Sequence, residues 1–106
     1  MNFLQYVATF FAGAFLCNCI PHLSCGLRGE LFPTPFAKPR GVGDSSPAAN
    51  FLWGLANLVA GALLYAAYPF TVGFNLGSVL FLAGFLILGL YLSRHFGAVR
   101  RNNNPR

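Results

Sequence analysis

The run FTVGFNLGSVLFLAGFLILGLYLS, Phe70 to Ser93, contains no charged side chain. A helix rises about 1.5 Å per residue and the hydrocarbon core of a bilayer is about 30 Å thick, so a stretch of this length spans it. Two more uncharged stretches precede it, from about Phe3 to Ile20 and from about Ala48 to Tyr68. The pattern predicts an all-α integral membrane protein with three transmembrane helices, over about 3–21, 47–68 and 70–94. They form a single membrane domain, 1–106, with a loop at 22–46 and a tail at 95–106.

Three spans put the termini on opposite faces and the loop on the same face as the tail. The loop carries Arg28, Lys38 and Arg40, and the tail side carries Arg94, Arg100, Arg101 and Arg106. The N-terminus and the Pro69 turn carry no Lys or Arg. Excess Lys and Arg mark the cytoplasm, so the N-terminus is expected outside and the C-terminus inside, in the plasma (inner) membrane. Lys38, Arg40, Arg94, Arg100 and Arg101 are expected to meet lipid headgroups, each attraction being about 1 kcal/mol.

Composition agrees. The chain is 56% hydrophobic and 8% charged, against about 25% charged for soluble domains. A formal charge of +5 elsewhere suggests nucleic acid. Here the basic residues sit at helix ends and in a tail, so the bilayer is the expected partner and nucleic acid is not. A cleaved signal peptide does not fit the first stretch, because no basic residue precedes Phe3 and no small-x-small site follows. Tyr6, Tyr65, Tyr68 and Phe70 fall near the outer boundary, and Trp53 and Tyr91 nearer the inner one, where aromatic belts lie.

Asp44-Ser45-Ser46-Pro47 supplies Ser46 as N-cap and Pro47 at the first position of the second helix. Pro69 ends that helix, and the Tyr68 to Thr71 turn predicts an antiparallel C-terminal helical hairpin with the third. The segment from His22 to Ser46, rich in Gly and Pro, shows neither helix nor strand period. Its Phe32 to Pro39 run is expected to be extended and polyproline-like, with Phe32 and Phe36 dipping into the interface. Asn102 to Asn104 is expected to be disordered.

Polar and small residues form stripes. Asn50, Gly54, Asn57 and Gly61 share one face of the second helix, the composition of a close helix contact in lipid. The third helix has two faces, Gly73, Gly77 and Gly84 on one side and Asn75, Ser78 and Gly89 nearly opposite. On the first helix Gln5, Thr9 and Gly13 make a stripe, and Asn18 lies on another face. Matching depths predict Gln5 against Asn75, Thr9 against Ser78, and Asn18 against the Asn50 and Asn57 face. These groups serve either as packing glue or as a path, and no Asp, Glu, Lys or Arg interrupts a span as a proton-coupled path requires. The double face of the third helix predicts homo-oligomerisation or a larger membrane partner.

Cys17-x-Cys19-x-x-His22-x-x-Cys25 is the candidate metal site, four soft ligands in nine residues. On a helix Cys17 and Cys19 point about 160° apart, so the site requires Pro21 to break the helix and gather His22 and Cys25. His95 lies at the depth of His22, and paired histidines ligate haem or metal across helices. A histidine at a helix C-terminus is equally explained by the dipole. A reducing cytosol disfavours a disulfide. A Cys-His-Asn arrangement using Asn18 or Asn50 lacks motif specificity, so no catalytic residue, no enzyme activity and no cofactor are expected.

The loop Pro33-Thr34-Pro35-Phe36-Ala37-Lys38-Pro39, continuing through Gly41-Val42-Gly43-Asp44-Ser45-Ser46-Pro47 to Asn50-Phe51-Leu52-Trp53-Gly54, resembles the central segment of small, functionally uncharacterised bacterial integral membrane proteins of the three-helix type. The resemblance implies a membrane location and no mechanism. Small multidrug transporters are of similar size but have four helices and an acid in the first. The resulting expectation is a structural or accessory subunit of a membrane assembly. The alternatives are an oligomeric small-solute or ion permeation protein, and a cytoplasmic-face metal or haem binder using His22.

Overall fold

The computed structural model describes residues 2–103. Along the chain run α1 (Phe3–Leu27), β1 (Phe32–Pro33), β2 (Asp44–Ser45), α2 (Pro47–Ala67) and α3 (Leu76–Asn103). All three helices are long and apolar enough to cross a membrane.

The starts are set by side-chain caps. Asn2 Oδ1 accepts from the Gln5 N–H at 2.9 Å, and Gln5 Oε1 accepts from the Asn2 N–H at 2.7 Å, a reciprocal capping box for α1. Ser46 Oγ accepts from the Ala49 N–H at 3.1 Å, with Pro47 at the first helical position of α2. α3 begins at Leu76, not Phe70, because Asn75 Oδ1 accepts from the Ser78 N–H at 2.8 Å and defines the cap there. The residues from Tyr68 to Asn75 therefore form a longer turn than expected, with Tyr65 Oη donating to Phe70 O at 3.1 Å.

Pro21 lies inside α1 without ending it. Its missing N–H costs a helical hydrogen bond, but the turn beyond it is held from outside. Leu23 packs on Gly54, and a Cβ on Gly26 would lie 2.6 Å from Phe51 N. At the other end of the chain α3 runs on through Arg94, Arg100 and Arg101, so the expected tail is helical as far as Asn103. Val99 is buried there, and Arg100 and Arg101 sit in the last turn, where cations favour the helix dipole. Asn104 and Arg106 lie outside the described residues.

α1 occupies the centre. It packs on both other helices, while α2 and α3 share no comparable interface. α2 runs antiparallel to α1, pairing Gly54 with Leu23 and Gly61 with Ala12. α3 runs parallel to it, pairing Gly84 with Phe10 and Ala14, and Gly13 with Phe81 and Phe85. The C-terminal helices are thus antiparallel but are not a packed hairpin, because the small residues of both are turned to α1. The interior is made of Ala8, Ala12, Ala14, Cys17, Cys19 and Cys25, and the large apolar side chains point outward. That is the packing by which helices approach closely in lipid.

The loop is folded rather than extended. β1 and β2 pair antiparallel, Phe32 with Ser45 and Pro33 with Asp44. Thr34 O accepts from the Gly41 N–H at 2.9 Å and from the Ala37 N–H at 3.2 Å, and the Thr34 and Ser45 hydroxyls are 2.6 Å apart. The Lys38–Pro39 peptide is cis, and Gly41 has φ 68°, the left-handed region. Phe32 does not dip outward. Its ring lies 4.6 Å from Phe96 and 5.5 Å from His22, centroid to centroid.

Candidate functional site

Three of the four polar side chains that the fold buries most completely, His22, Thr34 and Asn50, gather at the loop end of the bundle, with Thr9 the exception. Asn50 stands in the first turn of α2 and is fully buried. Its Nδ2 donates to Phe32 O at 2.9 Å, Ser46 O at 3.1 Å and Ser45 O at 3.3 Å. Three carbonyls can only be met by the amide NH2, so the orientation of the amide is fixed by chemistry. Oδ1 then faces His22 Nδ1 at 2.8 Å, and the ring must donate to it. In the neutral ring Nδ1 carries the hydrogen and Nε2 keeps its lone pair. One side chain thereby ties α1, α2 and both strands together.

The same logic orients a second pair. Asn57 Nδ2 donates to Trp53 O at 2.8 Å, so Asn57 Oδ1 is the acceptor for Asn18 Nδ2 at 2.9 Å. On α3, His95 Nε2 donates to Gly41 O at 2.6 Å and pins the loop to the third helix. Its ring stacks on Tyr91 with centroids 6.0 Å apart. A Cβ on Gly41 would approach this contact at 3.3 Å, a second reason for glycine there.

These elements line a half-open pocket of about 170 Å³, bordered among others by Asn18, His22, Thr34, Trp53, Tyr91 and His95. Trp53 Nε1 is a buried donor with no partner among the described residues. His22 Nε2 and Asn18 Oδ1 are acceptors with no hydrogen bond among them either. A pocket walled by amide, imidazole and hydroxyl side chains between aromatic rings can hold a small hydrogen-bonding molecule. No cysteine lines it.

The expected metal motif does not assemble. Because α1 continues through Pro21, Cys19, His22 and Cys25 follow one another at three-residue spacing along the helix, a full turn apart, while Cys17 is turned about 160° from Cys19. Among the described residues no three His, Cys, Asp or Glu side chains come together. Cys19 Sγ instead donates to Leu16 O at 2.9 Å, and His22 is held by Asn50.

The expected pairing of α1 with the Asn75 and Ser78 face of α3 does not form. Gln5 completes the α1 cap, and Thr9 Oγ1 donates to Gln5 O at 2.8 Å. Asn75 Nδ2 donates to Thr71 O at 2.6 Å, and Ser78 Oγ accepts from the Gly73 N–H at 3.0 Å. Backbone partners within the same turn satisfy these groups without any approach of helices. Gly13, the third member of the stripe, does face α3, but against Phe81. Asn18 meets Asn57, while Asn50 turns to His22. Lys38, Arg40, Arg94, Arg100 and Arg101 are all exposed, in the loop and along the C-terminal part of α3.

His95, Thr34 and the free Trp53 Nε1 were not singled out as a unit by the sequence. The spacing of Asn18 and His22, four apart on one helix face, was the signal for their common cavity.

No family model, curated protein or solved structure matches the chain.

Proposed function

We propose that this protein is a three-pass component of the plasma membrane, N-terminus outside and C-terminus cytoplasmic, serving as a small structural or accessory subunit of a membrane assembly. The observation that carries the reading is the apolar middle of the bundle, where α2 and α3 leave an open groove of about 490 Å³ lined by Ala12, Leu16, Gly61 and Phe81 among others. Between the level of Thr9 and the Asn18–Asn57 pair, α1 meets α2 and α3 through backbone and small apolar residues at Gly13, Gly61 and Gly84. No polar side chain lies in that layer on any helix. A packed body of this kind holds its shape and offers surfaces, and it does not provide a polar route along its length. Leu58, Val59 and Leu63 on α2 and Val79, Leu82 and Leu86 on α3 are exposed, suited to lipid or to neighbouring helices.

The test is isolation of the tagged full chain from crosslinked membranes in mild detergent. One stoichiometric partner, or a defined self-assembly, supports the subunit reading. A chain recovered alone that carries ions or small solutes across liposomes overturns it in favour of permeation.

A further inference from the structure

A second cavity, of about 430 Å³, lies on the far side of the Phe32–Phe96 ring pair, lined by Leu31, Phe32, Asp44, Phe96, Val99 and Arg100 among others. It joins the strand pair to the last turns of α3. The two charges in its wall are of opposite sign and do not close on each other. Among the described residues the one ion pair is Arg28 with Glu30, which leaves Asp44 as the carboxylate without a cationic partner. On α3 the exposed apolar series Leu82, Leu86 and Leu90 gives way to Arg94 and Arg100. In a spanning helix that transition marks the level of the headgroups.

We infer that this cavity seats the headgroup of an aminophospholipid, with its phosphate on Arg100 and its primary ammonium on Asp44. A guanidinium matches phosphate oxygens in a bidentate fork. An ionised carboxylate only accepts hydrogen bonds, and a primary ammonium offers it three donors. Both charges of the ligand find an opposite charge in the wall, and Leu31, Phe32, Phe96 and Val99 present apolar surface to the glycerol region. A choline headgroup brings no N–H to Asp44, and a glycerol headgroup brings no positive charge. The inference rests on the three-span reading, which places this end of the bundle at the bilayer surface.

The test is native mass spectrometry of the full chain in detergent, titrated with equimolar phosphatidylethanolamine, phosphatidylcholine and phosphatidylglycerol of identical acyl chains. The ethanolamine lipid should be retained about tenfold over the choline lipid, the scale of one charge-assisted hydrogen bond. Asp44→Asn should abolish that preference while phospholipid is still bound, and Asp44→Glu should restore part of it. Arg100→Gln should weaken retention of all three lipids. Circular dichroism of each variant establishes that the helices are intact. Equal retention of ethanolamine and choline lipids by the wild type, or an unchanged preference in Asp44→Asn, overturns the inference. Displacement of the lipid by soluble phosphoethanolamine at equal concentration assigns the site to a water-borne ligand and overturns it as well. If the chain stays soluble without detergent and retains no phospholipid of any class, the membrane reading itself fails, an outcome distinct from loss of headgroup preference.

Discussion

Asn50 Oδ1 lies 2.8 Å from His22 Nδ1, and this one contact couples the middle of the chain to the first helix beyond its proline. It is buried on both sides, His22 at 2% exposure and Asn50 at 0%. A buried amide with all its bonds made is a specifying feature, because every alternative packing leaves several groups unpaired.

Asn50→Asp keeps the volume and removes the donor. Three carbonyls, of Phe32, Ser45 and Ser46, then face an acceptor. A loss of about 3 kcal/mol is expected, as for unsatisfied buried groups, together with release of the strand pair. Unfolding in detergent measures the first, and limited proteolysis between Thr34 and Gly43 measures the second. Wild-type resistance in the variant would show that Asn50 does not hold the loop.

The histidine tautomers are a direct readout of the network. His22 should carry its hydrogen on Nδ1, and His95 on Nε2, because their partners Asn50 Oδ1 and Gly41 O are both acceptors. Imidazole 15N shifts of the labelled protein at neutral pH distinguish the two forms. The reverse assignment for His22 contradicts the amide orientation argued from its three carbonyls.

Glycines on α1's two interfaces should differ in tolerance. A Cβ on Gly84 would fall on the backbone carbonyl of Phe10, whereas one on Gly61 comes no closer than 3.3 Å to Ala12 O. Gly84→Ala is therefore expected to cost about 3 kcal/mol or more, at the upper end of overpacking, and Gly61→Ala about 1 kcal/mol or less. Thermal unfolding of the two variants side by side gives the comparison. Equal effects would mean that α1 and α3 are not in backbone contact.

The proposed topology rests on the charge distribution and is tested by labelling. In a background without Cys17, Cys19 and Cys25, a cysteine at Arg40 should react with an impermeant thiol reagent only after permeabilisation. One at Val72, which is 82% exposed in the turn before α3, should react from outside. Reaction of both from the same side excludes three spans with the loop inside.

The loop's two phenylalanines should separate by role. Phe32 is clamped between His22 and Phe96, while Phe36 is exposed and touches only the edge of Trp53 at 5.0 Å among the ring contacts. Phe32→Ser is expected to lower stability by about 2–4 kcal/mol, as for truncation of a packed aromatic, and Phe36→Ser by much less. Comparable losses would place both rings in the same environment.

Local chemistry carried a good part of this protein in its sequence. The three apolar stretches, the Ser46–Pro47 helix start and the small-residue stripe of Asn50, Gly54, Asn57 and Gly61 are statements about neighbours on one helix or one turn, and α2 packs through that whole stripe. Asn18 and Asn57 were matched by depth alone, and they bond. The Gln5–Asn75 match by the same rule fails, because each amide finds a backbone group one turn away.

What only the tertiary structure decided is which helix lies in the middle and what becomes of the loop. Sequence proximity favours α2 against α3, yet the glycines that permit closest approach face α1 from both sides, so the first helix becomes the shared neighbour. Pro21 reads as a break when taken alone. It lies inside a helix because contacts beyond it, from Gly54, Phe51 and Asn50, exceed the cost of one missing hydrogen bond. The His22, Trp53 and His95 cavity depends on side chains far apart in the chain meeting at one end of the bundle. Periodicity records which face of a helix is small or polar, and only packing chooses the partner that face meets.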